Sequence, residues 1–444
     1  MYLILSILNL MLSYTLFKRV AGSLKIKSLN MISWIFYFPL IIQSFIASVL
    51  IVSYADNHYL ISKLQHDNIR FYGWAAVQYV MLALPIGMHI AMFLFGKKNN
   101  KYLFNDFITK PITPSISSKD SFIRTGLYIL SFIGVASILY SYAVLPKIPI
   151  LYLLNGAASD ELSFLRQDTG RQFSGIAYIR NIFGLLLTPI LSYIAYSYYL
   201  LTKNKTDKYW FILMTISSFL ILILDLSKSP IFFYIFGFLF IKIANGYKFN
   251  FVKATKYISI TLLSLLFIYS ILADTSQVKS IWEYLSSYNT GIIGRIILSQ
   301  AAGTYLALEA FPSLHPHIGF SSLTSLMPNY SERMGRIVME IYNASAFELG
   351  TAGSMNTLFI AEAWANFGLI GIITSPLIVG FIIQLTYQIL ISENKTPLKL
   401  GIYGYFCIKM PVTGGYNDFI YNLSTIIIVI IFYGLYLMAK SYKK

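Results

Sequence analysis

Residues 209–243 read YWFILMTISSFLILIL, DLSKSP and IFFYIFGFLFIKI, two apolar runs parted by the short polar stretch from Asp225 to Pro230. Lysines flank both outer ends, Lys203, Lys205 and Lys208 before and Lys248, Lys253 and Lys256 after. Positive residues collect on the cytoplasmic side of membrane helices, so this segment reads as a helical hairpin with its tip directed outward. At roughly 1.5 Å per residue neither arm crosses a hydrocarbon core of about 30 Å. The tip is therefore expected below the outer surface, enclosed by protein around a wet cavity, because irregular backbone is not tolerated against lipid. Lys228 has two readings there. It pairs with Asp225, three residues away, or it sits at headgroup depth beside a phosphate.

The same grammar extends along the chain. Apolar runs near 1–17, 31–53, 73–95, 122–144, 176–201, 209–224, 231–243, 257–273, 356–390, 400–413 and 420–439 make about eleven transmembrane helices in a single integral membrane domain, residues 1–444. With 57% hydrophobic and 12% charged residues, a soluble globule is excluded and the fold class is all-α, polytopic. The net charge of +16 lies largely in short loops, where it is a topology signal and not a nucleic-acid surface. Lys18, Arg19, Lys25 and Lys27 follow the first run and none precedes it, which predicts an outside N-terminus; Lys440, Lys443 and Lys444 predict a cytoplasmic C-terminus. Cys407 is the only cysteine, so neither an intrachain disulfide nor a cysteine-based metal site is available.

Two connections expected outside are long, 145–175 and 274–355, and ordered loops of that size are usually functional. In and around them, and at the hairpin tip, lie seven cations that the topology rule does not place: Arg166, Arg171, Arg180, Lys228, Arg295, Arg333 and Arg336. A charge in mid-bilayer costs about 3 kcal/mol or more, so such residues face a polar cavity, pair internally or hold a ligand. Arg180 enters the next apolar run, where it snorkels or forks onto a diphosphate. Arg295 sits among Ile292, Ile293, Ile296 and Ile297, which reads as a helix lying on or dipping into the interface. SERMGRIVMEIYN, residues 331–343, is a second amphipathic helix with Met334, Ile337, Val338 and Ile341 on one stripe and Arg333, Arg336 and Glu340 on the other. An ordinary solvated face with an Arg336 to Glu340 pair also fits that stripe.

The run from Ser354 to Leu390 is too long for one straight span, and Gly368, Gly371 and Pro376 are its candidate breaks. Glu362, early in it, either faces the cavity mouth or pairs with one of the arginines. No HExxH, Walker loop or Asp-x-Asp pair occurs, and the His315-x-His317 element lacks clustered partners, so no metal site is expected. As bases for deprotonating a hydroxyl, His315 and His317 compete with Glu309, Glu340, Glu348, Glu362 and Asp418.

About a dozen spans, two arginine-bearing external loops four spans apart, the Ser227-Lys228-Ser229 tip and a late Asn366-Phe367-Gly368 element in AEAWANFGLIG occur in that order. In these features the chain resembles Wzy-type O-antigen polymerases, the oligosaccharide repeat unit polymerase family. Arg166 and Arg171 precede Gly175 at a shorter spacing than that family's Arg-x-n-Gly patterns. The resemblance implies an architecture similar to GT-C glycosyltransferases, in a bacterial inner membrane. It also implies polyprenyl-diphosphate-linked oligosaccharides as substrates, membrane lipids and a chain-length regulator as partners, no nucleic acid, and no cofactor. The implied reaction is metal-independent transfer, with inversion, of a growing glycan onto an incoming lipid-linked repeat unit. Cations stabilise the departing diphosphate: Arg166, Arg171, Arg180, Lys228 and Arg295 would hold it, and Arg333 and Arg336 the second substrate. Glu348 or His317 would be the base. An O-antigen ligase uses the same donor, and a lipid-linked oligosaccharide flippase would need the same cations.

Overall fold

The computed structural model describes residues 1–95, 99–115, 119–157, 159–170, 173–247, 291–327, 329–348, 353–392 and 394–441. Among these, all regular structure is helical. Seven helices are long and apolar enough to cross a membrane: Tyr2–Ser28, Met31–Val52, Asn68–Leu94, Asp120–Ala143, Ile179–Thr202, Phe359–Ser392 and Asn417–Ser441. The hairpin arms are the Lys205–Leu222 and Lys228–Ala244 helices, and a further helix covers Pro397–Lys409. The expected span 257–273, part of the count of eleven, lies outside the described residues.

The Phe359–Ser392 helix runs along Asn68–Leu94 at the centre of the bundle, and glycine makes that approach possible. A Cβ on Gly87 would collide with the Leu377 backbone, and one on Gly380 with the Leu84 carbonyl. Small residues let membrane helices pack backbone to backbone, where lipid offers no hydrophobic drive for association.

Lysine-rich connections share one end of the bundle and are tied by polar side chains. Asn30 forms a reciprocal cap with Ser33 at the start of its helix, while its Nδ2 donates to the carbonyls of Ala21 (3.1 Å) and Ser23 (2.9 Å). Lys395, only 1% exposed, donates from Nζ to Ile108 O (3.2 Å) and Ala244 O (2.8 Å), the last turns of two helices. Arg124 joins Asp120 (2.8 Å) to the buried Asp207 (3.2 Å) at the same end.

At the opposite end the Ile292–Ala310 helix differs from expectation. Its second half does not lie on an interface but is packed inside the protein, with Leu298, Ala302, Tyr305, Leu306 and Ala307 all buried. Loop residues bind it there. Glu309 accepts the backbone N–H groups of Gln65 and His66 (both 2.8 Å) and the Tyr342 hydroxyl (2.8 Å), which leaves it little capacity as a base. His58 accepts the Leu60 N–H at Nδ1 (3.2 Å), so its proton is on Nε2, shared with Ser299 Oγ (3.0 Å). The second amphipathic helix, Met334–Tyr342, buries Met334, Ile337 and Val338 of the stripe its spacing predicts, and Ile341, the fourth member, is half-buried.

Candidate functional site

Two polar clusters form at this end. The first is built by the hairpin tip and the connection 145–175. Asp225 accepts from Ser227 N (3.0 Å) and Ser227 Oγ (2.9 Å), a local turn that holds the tip where Leu226 takes a φ of 56°. Against it lies the Ser159–Gly170 helix, within the connection expected as a loop. Its exposed Arg166 donates from Nε to Asp225 O (3.2 Å).

Arg180 follows in a π-helical stretch, Ile179–Leu187, just before Pro189, and such bulges re-aim side chains. It is buried and does not snorkel, and its hydrogen bonds go to neutral oxygens. Its Nη1 donates to Thr169 O, its Nη2 to Gly170 O (2.9 Å) and its Nε to Asn181 Oδ1 (3.0 Å), while Phe173 lies under the guanidinium at 4.4 Å. The buried guanidinium thus caps the C-terminal carbonyls of the Arg166 helix. Three of its five N–H groups have neutral partners, and among the described residues Asp225 is the charge that acts on it. Arg171 and the side chain of Lys228 fall outside the described residues; in sequence they adjoin Gly170 and Ser227.

Beside this cluster is a hollow of about 490 Å³ whose lining includes Lys147, Glu161, Phe164, Leu165, Asp168 and Thr169. Glu161, Phe164, Leu165 and Asp168 share one face of the Ser159–Gly170 helix, and Phe164 is 49% exposed. Sequence reasoning missed this group, although the spacing 161, 164, 165, 168 was a legible helical stripe.

The second cluster centres on Arg333, at the start of the Met334–Tyr342 helix. Its Nε and Nη2 fork onto Glu362 (2.8 and 2.9 Å), and its Nη1 and Nη2 onto Asp418 (2.9 and 3.2 Å). Burial works against the charge, but the hydrogen bonds and charge of Glu362, then of Asp418, outweigh it and raise the guanidinium pKa. Glu362 also accepts Asn417 N (2.8 Å), and the Asn417 side chain bridges Asn366 (2.8 Å) to Ser322 (3.0 Å). Of the two readings of Glu362, the structure realises the arginine pair. Arg336, one turn on, donates to Gly353 O (3.2 Å) and stacks over Phe347 at 4.0 Å.

Of the candidate breaks in the Phe359–Ser392 helix, Gly368 is the one with non-helical torsions (φ 58°, ψ −138°). The interrupted turn frees the carbonyls of Ala365 and Asn366, which accept the N–H groups of Ile318 and Gly319 (both 3.0 Å). His317 is seated by that exchange. Its Nδ1 donates to Ala365 O (3.3 Å), which leaves Nε2 with the lone pair, beside Gly368. The ring is exposed, wedged between Phe311 and Trp364. Glu348 is the exposed last residue of the short Ala344–Glu348 helix, and Arg295 is an exposed residue in the first turn of Ile292–Ala310.

No family of proteins, curated protein or solved structure matches this chain. The site must be read from its own chemistry. Among the described residues no three His, Cys, Asp or Glu side chains gather as a metal ion would need. The cations divide instead by partner. Arg333 is over-neutralised by two carboxylates, whereas Arg166 donates to the Asp225 backbone carbonyl, and the Asp225 carboxylate, already bonded to Ser227, acts on Arg180 by charge alone.

Proposed function

We propose that the protein polymerises polyprenyl-diphosphate-linked oligosaccharide repeat units on the outer face of a bacterial inner membrane, as an inverting glycosyltransferase of GT-C-like architecture. The observation that carries the reading is the pairing of two chemistries around one short helix. On one face, the hollow of about 490 Å³ offers the carboxylates of Glu161 and Asp168 and the open ring of Phe164. Its size is within the roughly 300–1,000 Å³ typical of ligand sites, and carboxylates and aromatic rings suit sugar hydroxyls and sugar faces. Next to it is Arg166, on the helix whose end Arg180 caps, and Arg171 and Lys228 adjoin Gly170 and Ser227 in sequence, the charge a departing diphosphate needs. A sugar joined to a diphosphate has that same composition.

In this reading Arg166, Arg171, Lys228 and Arg295 receive the diphosphate, and Arg180 positions the helix that carries Arg166. Arg336 faces the second substrate, and Arg333 positions the Glu362 and Asp418 elements. His317 Nε2 takes the proton from the acceptor hydroxyl as the glycosidic C–O bond forms and the anomeric bond to phosphate breaks. Glu348 is the other candidate for that role.

The test is purified protein in liposomes with synthetic lipid-diphosphate repeat units. A ladder of multimers is expected, in the presence of EDTA as well. Arg166→Gln, at an exposed position, should fold normally and lose most of the ladder. Attachment of glycan to a lipid core without chain growth would mark a ligase, and transbilayer movement without multimers would mark a flippase.

A further inference from the structure

At the lysine-rich end, away from the proposed catalytic site, a second hollow of about 510 Å³ opens between helix ends. Lys27, Lys110, Asn245 and Tyr247 line it with polar groups, and Ile108 and Ile243 supply an apolar wall. Lys27 is exposed, and its side chain and those of Asn245 and Tyr247 make no hydrogen bond to any described residue, although the backbone N–H groups of Asn245 and Tyr247 close the last turn of the helix; Lys110 pairs with Asp106.

Two helices, Asn100–Thr109 and Lys228–Ala244, end here, and their C-terminal carbonyls would ordinarily repel an anion. Lys395 removes that obstacle. Its buried ammonium is bonded to Ile108 O and Ala244 O, directly behind the wall. Among the described residues three ammonium groups, Lys27, Lys110 and Lys395, then stand against one carboxylate, Asp106. Fixed positive charge, free donors and an apolar wall at the end of a helical bundle are the features that select a phosphate attached to a glycerolipid.

We infer that this hollow binds a phosphate group, carried on the headgroup of an anionic phospholipid or free in solution, between Lys27 and Lys110. The site is independent of the polymerase reading, since no residue in it takes part in that chemistry.

The experiment uses the full chain in detergent, titrated with dioleoyl phosphatidylglycerol, dioleoyl phosphatidylcholine and inorganic phosphate, with bound lipid counted by native mass spectrometry. Phosphatidylglycerol should bind in preference to phosphatidylcholine. Lys27→Gln with Lys110→Gln should weaken it roughly thirtyfold, each lysine contributing the usual membrane-surface attraction. Lys203→Gln with Lys208→Gln, two exposed lysines at the same end of the bundle, should leave it unchanged. Inorganic phosphate that displaces the lipid identifies free phosphate as an occupant, and lipid retained against phosphate identifies the headgroup. Equal losses in both double variants, or none in the first while its melting temperature is unchanged, would overturn the inference.

Discussion

Replacing Arg333 by alanine tests how the second cluster holds the late helices to the large loop. The guanidinium makes four hydrogen bonds to two carboxylates, and the Glu362 side chain is only 3% exposed. Removing one partner of a buried ion pair costs about 3–5 kcal/mol, because the stranded charge keeps its desolvation penalty. Here two like charges are stranded together. At about 2.1 cal/mol/K of unfolding entropy per residue, a 444-residue chain loses roughly 1 °C for each kcal/mol, so the melting temperature should fall by about 3–5 °C. Thermal unfolding in detergent, followed by tryptophan fluorescence, suits the site: Trp364 is two residues from Glu362 and donates to Phe311 O at 3.0 Å. The triple change Arg333→Met, Glu362→Gln and Asp418→Asn removes all three charges and should recover at least half of the loss, since neutral replacements of buried ion pairs are often tolerated. An Arg333→Ala protein that melts within about 1 °C of the parent, or a triple variant no more stable than the single one, would refute this reasoning.

Two further outcomes follow from the loops. Burial pushes the His58 imidazole down to about 4 from an ordinary 6.5, so the folded state binds its proton less readily than the unfolded chain. The stability it contributes is complete above pH 6.5 and is lost as the pH falls toward 4, by up to about 3 kcal/mol. His58→Asn should flatten the melting temperature over that window, and an unaltered pH profile would contradict the assignment. Gly368→Ala forces a side chain onto a φ of 58° with ψ −138°, and places a Cβ 3.1 Å from His317 Nε2. A loss of about 1–3 kcal/mol is expected, together with reduced chain extension, and parental values of both would argue against a positioned His317.

Much of the frame was legible in the sequence because lipid permits few alternatives. The hairpin at 209–243, the break within 354–390 and the buried stripe of Met334, Ile337 and Val338 all follow from apolar period, charge and helix breakers. Side-chain partners at long range were not legible. Glu362 had two readings until Arg333, 29 residues away, was seen to take it, and nothing local links Arg333 to Asp418, 85 residues on. Arg180 was weighed as snorkelling or ligand-binding, whereas its partners are the carbonyls that end a neighbouring helix. Arg295 and its isoleucines drew attention to an interface, while Ala301, Ala302, Gly303 and Ala307, later in the same helix, were the signal for close packing within the protein.

The central claim is that the cations around the Ser159–Gly170 helix and the hairpin tip grip a lipid diphosphate. Its most direct test is equilibrium binding of a polyprenyl diphosphate and the matching monophosphate to the purified protein, compared with Arg166→Gln. Preference for the diphosphate is predicted, with a loss of about 10–100-fold in the variant as one charge-assisted contact disappears. Equal affinity for the two lipids, or unchanged diphosphate binding by the Arg166→Gln protein, would contradict it.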